Sequence, residues 1–246
     1  MSPKKLPILL LAAVFMVALA PAPALAVGGG GPTLASSPKW TLSYYSGDNG
    51  PYTMPAHPHN DSIATFAFDL APNQALLTSA DREYLGRGNL LGDTVRATIS
   101  ITAPKGTTFV GYDTVCSTPP TVRFYFGTKL ILGAETSFQS GLYEDQLWWS
   151  NPVSISLADV FAAGRHGSRL SVSFTPAKWS NLVGAFGNNL VGAYSADFSK
   201  AASNVNTVGF SFGSGCTFAF GDGSNPAGAL FNLLEFSIQP QSWWPW

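Results

Sequence analysis

Cysteine occurs only twice in this 246-residue chain, at Cys116 and Cys216, with no C-x-x-C pair and no Cys/His cluster. A zinc site therefore has no support. Charge is also scarce: 13 Lys and Arg against 14 Asp and Glu give a formal net charge of −1, and charged residues make up 11% of the chain. Without a basic patch or stripe there is no electrostatic footprint for nucleic acid or an anionic membrane. Helical periodicity is weak, no internal repeat is present, and nothing after residue 26 resembles a transmembrane helix.

What is present begins with an export signal. Lys4 and Lys5 precede the apolar run LPILLLAAVFMVALA, Pro21 and Pro23 interrupt it, and Ala24-Leu25-Ala26 is an A-x-A cleavage site. This is a secretory signal peptide over 1–26, with cleavage after Ala26. An uncleaved anchor is the competing reading, but the run is short for a span of about 20 residues. Removing Lys4 and Lys5 takes the formal charge from −1 to −3. In an exported chain disulfides persist, and an even cysteine count makes Cys116–Cys216 a candidate bridge, with two free thiols the alternative.

Residues 27–38, VGGGGPTLASSP, are a Gly/Ser/Pro-rich linker. From Trp40 onward the signal is period two. Val95, Ala97, Ile99 and Ile101 alternate with Arg96, Thr98, Ser100 and Thr102, and residues 65–70, 122–126, 153–157, 170–174, 208–212, 216–220 and 230–238 behave alike. Strands with one buried face produce this pattern. Turn clusters such as Ala103-Pro104-Lys105-Gly106 separate them, and 79–85 and 194–202 are the two helical candidates. These features predict an all-β, antiparallel jelly-roll β-sandwich over 39–239, with one or two short helices and an aromatic tail at 240–246. An outer-membrane barrel is disfavoured. Pro240 and Pro245 interrupt the closing strand, and the apolar residues face inward.

Gly209-Phe210-Ser211-Phe212-Gly213 matches G-x-S-x-G, the nucleophile elbow of α/β-hydrolases. The motif needs a strand, a sharp turn, a helix and a later histidine. Here alternation runs through the motif, and His57, His59 and His166 all precede Ser211. Ser211 is read as a strand residue. Glycoside hydrolysis needs two facing carboxylates, and the adjacent Glu144-Asp145 pair would point to opposite faces of a strand. His57-Pro58-His59, read as an exposed loop, is an incomplete metal site. Asp48-Asn49 and Asp222, in Gly-rich turns, are candidate calcium ligands without multi-ligand spacing.

Aromatic residues carry the binding expectation. Sugar rings present an apolar C–H face that flat aromatic side chains accept, with Asn, Asp, Gln and Arg meeting the hydroxyls. Tyr143, Trp148 and Trp149 lie among Glu144, Asp145, Gln146 and Asn151, and Trp179 sits in a turn after Pro176. In a strand Trp148 and Trp149 would face opposite ways. One of them then needs a ligand, a covering loop or a neighbouring domain. Core packing is the competing reading for each.

The segments VCSTPPTVRFYFGTK, YEDQLWWSNPVSISLADV, LSVSFTPAKWSNLVG and FSKAASNVNTVGFSFGSGCTFAFGDG, between Phe109 and Phe220, resemble secreted bacterial β-sandwich proteins. More distantly they are similar to the galactose-binding-like jelly rolls that include many carbohydrate-binding modules. Residues 40–90 carry less of this resemblance, and 130–141 are not placed by it. It implies a sandwich fold and, loosely, a carbohydrate ligand, and it brings no catalytic residue.

These observations lead to a secreted, non-catalytic protein that recognises carbohydrate or another polar extracellular ligand. A glycan-active hydrolase or lyase and a cell-surface assembly component are the alternatives.

Overall fold

The computed structural model describes residues 39–46, 49–111, 119–128, 147–181, 184–188, 198–214 and 221–241. The chain divides into two units, Met1–Ser36 and Ser37–Trp246, and every described residue belongs to the second. The signal peptide, linker, Cys116, Cys216, Asp48, Tyr143, Glu144, Asp145 and residues 242–246 lie outside the described residues.

The second unit is built mainly of antiparallel strands. β1 (Trp40–Ser46) and β2 (Asn49–His59) form a hairpin in which Trp40 faces Ala56 and Tyr44 faces Tyr52. β2 then changes partner, and its His57 and His59 pair with Thr65 and Ser62 of β3 (Ser62–Ala67). Pro55 and Pro58 flank the change, where the missing N–H groups weaken continuous pairing. One strand set continues from β3 to β14 (Leu230–Gln239), β5 (Thr94–Thr102) and the edge strand β10 (Ser168–Ser173). The other runs from β1 through β4 (Gln74–Ser79), β12 (Val205–Ser214), β7 (Pro120–Thr128) and β8 (Leu147–Ser150) to the edge strand β11 (Trp179–Asn181). β6 (Thr108–Gly111) pairs with β13 (Asp222–Asn225), which touches β4, and β9 (Ile155–Ser156) pairs with β7.

The sheet curls so that the two sets share one aromatic core. Rings cross from set to set: Trp40 meets Phe236 at 5.0 Å, Phe66 meets Phe212 at 5.3 Å and Phe210 meets Phe231 at 6.0 Å. These contacts are edge-to-face, which suits the ring quadrupoles and is worth about 0.5–1.5 kcal/mol per pair beyond burial. Val95, Ala97, Ile99 and Ile101 all enter this core, as their alternation predicts.

Among the described residues three short α-helices join the strands: α1 (Arg82–Leu85), α2 (Leu157–Ala162) and α3 (Phe198–Ala202). α1 and α3 fall within the two helical candidates. α2 overturns part of a predicted strand, since only Ile155 and Ser156 of 153–157 are extended. Ser156 ends the strand by capping the helix: its Oγ accepts the Asp159 N–H at 3.0 Å and donates to the Asp159 carboxylate at 2.6 Å. The 216–220 strand reading lies outside the described residues. Among the described residues no helix is long and apolar enough to cross a membrane.

Candidate functional site

Ser211 lies in the middle of β12, opposite Leu76 of β4 and Arg123 of β7, and is buried. The strand runs through the whole pentapeptide, with Val208, Phe210 and Phe212 in the core. His57 and His59 stand on β2 rather than in a loop, and both are exposed. Among the described residues no three His, Cys, Asp or Glu side chains gather as a metal set.

The tryptophans do not form an open platform. Trp148 and Trp179 occupy the main core, where Trp179 stacks on Phe174 at 4.9 Å and Trp148 meets Phe198 edge-on at 5.2 Å. Trp179 belongs to β11 rather than to a turn, and its indole N–H donates to the Ser173 carbonyl at 2.8 Å. Trp149 does face the opposite way from Trp148, toward Tyr125, but this second face is covered too. The three indoles are 0–1% exposed. A sugar ring has no access to them, so the aromatic platform expected of these residues is replaced by packing.

Polar chemistry gathers instead on the outer face of β5, β10 and β14. Antiparallel pairing sets three cross-strand rows there: Arg169, Thr98 and Glu235; Ser171, Arg96 and Ser237; and Ser173, Thr94 and Gln239. The first two rows, with Gln239, line a groove of about 440 Å³. A β-bulge in β14 creates the acidic side of this groove. Leu233 opposes Ile99 and faces the core, and in an unbroken strand Glu235 would face inward as well. The register instead slips at Leu234, so Glu235 opposes Thr98 while Phe236 opposes Ala97. Glu235, Ser237 and Gln239 are thereby turned to solvent, the re-aiming that bulges perform.

The Thr98 hydroxyl donates to the Glu235 carboxylate at 2.8 Å. Arg96 and Arg169 are exposed, and neither guanidinium forms a hydrogen bond or ion pair among the described residues; the only ion pairs there join Lys39 to Asp81, at 3.6 Å, and to Glu83. The groove thus offers two uncommitted guanidinium forks, one partly engaged carboxylate, and a fringe of hydroxyl and amide groups. No aromatic ring lines it among the described residues.

No family model, curated protein or solved structure matches this chain.

A second polar constellation lies inside. Asp222 is completely buried, and neither carboxylate oxygen accepts a hydrogen bond of ordinary geometry. Burial pushes its carboxyl well above the usual carboxylate range, while the Gly213 N–H and the Arg123 guanidinium pull the other way. Arg123 is itself buried, which draws its guanidinium down to about 10; the charge of Asp222 partly offsets this. Its Nη2 donates to the Thr121 hydroxyl at 3.1 Å, and Thr121 passes the chain on to the Gly213 carbonyl at 2.9 Å. A calcium ion takes six to eight oxygens. Asp222 supplies two and feels a guanidinium charge, so the described residues around it do not fit calcium. Asp222 is a low-dielectric acid.

The groove residues were not among those singled out for binding from the sequence; Asp222 was, but as a candidate calcium ligand in a Gly-rich turn rather than as a buried acid. Residues 230–238 were expected to alternate throughout, but Leu233-Leu234 shifts the alternation by one residue at the bulge. The neighbouring strands that complete the groove were not legible in the sequence.

Proposed function

We propose that this chain is an extracytoplasmic, non-catalytic binding protein that takes a polar, carbohydrate-type ligand in the groove on β5, β10 and β14. The observation that carries the reading is the pair of exposed, unpaired arginines, Arg96 and Arg169, set among Glu235, Ser171, Ser237 and Gln239 on rigid strands. Such a surface meets hydroxyl-rich ligands with donors and acceptors already positioned. Binding rather than hydrolysis is favoured because glycoside hydrolysis uses two carboxylates, and Glu235 is the single acidic residue in the lining described. The reading includes export through the 1–26 signal peptide and a jelly-roll arrangement of the two strand sets. The resemblance of the 109–220 segments to galactose-binding-like modules supports it.

A glycan array probed with residues 27–246 tests the proposal. Binding that falls at least tenfold in Arg96→Ala, Arg169→Ala or Glu235→Ala supports it. Absence of glycan binding, or binding unchanged by all three substitutions, overturns it.

A further inference from the structure

The groove is not electrically neutral, and its charges point to a narrower ligand class. Arg96 opposes Ser171, which stands two residues beyond Arg169 on β10. The arginines are therefore diagonal neighbours on adjacent strands, about 7–8 Å apart, within reach of one another for long side chains. Like charges within this reach repel one another, the more so where neither has a counter-ion. An arginine pair serving only the fold would gain by engaging Glu235, which occupies the same face. Yet Glu235 is held by Thr98, and neither arginine forms an ion pair among the described residues. The chain as a whole is slightly acidic, with a formal charge of −1, so this local cationic pair runs against its general balance.

We propose that the groove selects an acidic saccharide, one bearing carboxylate or sulfate groups. This rests on the reading of the groove as a saccharide site. The anionic group lies between Arg96 and Arg169, each guanidinium offering the planar fork that matches a carboxylate or sulfate bidentately. Sugar hydroxyls flanking the acid group donate to the free oxygen of Glu235 and exchange hydrogen bonds with Ser171, Ser237 and Gln239. Thr98, on the central strand between Arg169 and Glu235, fixes the carboxylate so that it receives a hydroxyl rather than quenching an arginine. Placing an anion between the arginines removes their mutual repulsion. Selectivity over the neutral sugar thus comes from charge, and shared hydroxyl contacts supply the rest.

Calorimetry on residues 27–246 tests this with four probes: oligogalacturonate and its methyl ester, and dextran sulfate and dextran. At least one charged probe is expected to bind ten times or more tighter than its neutral counterpart, and to weaken as salt rises from low to high ionic strength. The two pairs distinguish a carboxylate from a sulfate ligand. Arg96→Gln and Arg169→Gln are each expected to abolish this selectivity while leaving the thermal midpoint equal to or above that of the unmodified chain. That stability readout separates a lost ligand contact from a lost fold. Equal affinity for charged and neutral forms overturns the acidic-ligand inference and leaves the saccharide reading standing. Binding to none of the four overturns the acidic-ligand inference, and the glycan array then decides the saccharide reading. Selectivity that survives the double arginine substitution places the anion elsewhere and overturns the site.

Discussion

At the scale of single residues, Asp222 is a carboxyl held in the interior at a cost. Burial of the carboxyl favours its neutral form, because desolvation outweighs the opposing pull of the Gly213 N–H and the Arg123 guanidinium. The folded state therefore holds the proton more tightly than the unfolded chain, where an ordinary aspartate titrates near 3.8. Both states are protonated below that value, so the penalty vanishes there. As pH rises above 3.8, the unfolded state ionises first and stability falls, by about 1.4 kcal/mol for each pH unit until the folded carboxyl also titrates. Asp222→Asn keeps the shape and removes the titration. Urea unfolding between pH 4 and pH 8 is expected to show a declining stability for the unmodified protein and a flatter profile for the variant. A smaller residual slope of the same sign remains from Asp93, which burial also raises, against the Gln241 N–H. Parallel profiles for the two proteins would mean that Asp222 is not the acid responsible. None of this was legible in the sequence. Asp222 reads as a candidate calcium ligand in the Gly-rich turn Gly221-Asp222-Gly223, and the pairing of β13 with β6 and β4 makes it interior.

At the scale of elements, alternation was a sound guide where one face packs and misleading where a local signal competes with it. Residues 95–101 and 208–212 became strands with the expected faces inward. Residues 153–157 alternate equally well, but Ser156-Leu157-Ala158-Asp159 carries the S-x-x-D capping pattern that starts α2. The pentapeptide at 209–213 shows the value of small residues in a central strand. A Cβ at Gly209 would overlap the Leu77 carbonyl of β4, so the glycine is fixed by the close approach of a neighbouring backbone rather than by a catalytic turn. Gly209→Ala is expected to lower stability by about 1–3 kcal/mol through overpacking, measured as a shift in the urea midpoint. Ser211→Ala offers a contrast: a hydrolytic nucleophile would be lost with it, whereas groove binding is expected to persist, since Ser211 lies on the other strand set. Loss of ligand binding in a folded Ser211→Ala protein would place the site on β12.

At the scale of the whole molecule, the fate of the tryptophans shows what local pattern cannot supply. Period two correctly separates Trp148 from Trp149, and the usual inference is that one is inside and one outside. That inference assumes a sheet with one wet face. Here both faces of β7, β8 and β12 are shielded, so Arg123, Tyr125, Trp149 and Ser211 are buried opposite a core that already holds Phe124, Phe126, Trp148 and Phe210. Shielding depends on chain segments far apart in sequence, which alternation does not encode. The consequence is a division of labour between the two strand sets. Substitutions in the tryptophan set should act through folding, and substitutions in the β5, β10 and β14 groove should act through ligand. Trp148→Ala and Trp179→Ala are each expected to cost about 3–5 kcal/mol, the range for truncating a buried large aromatic. Trp179→Ala also leaves the Ser173 carbonyl without its indole donor. Chemical denaturation and near-ultraviolet circular dichroism are expected to report these losses, with any residual ligand affinity tracking the folded fraction. The groove variants are expected to do the reverse, losing affinity at unchanged stability. A Trp148→Ala protein that keeps its stability and loses only ligand affinity would return the site to the tryptophans and remove the argument for the groove.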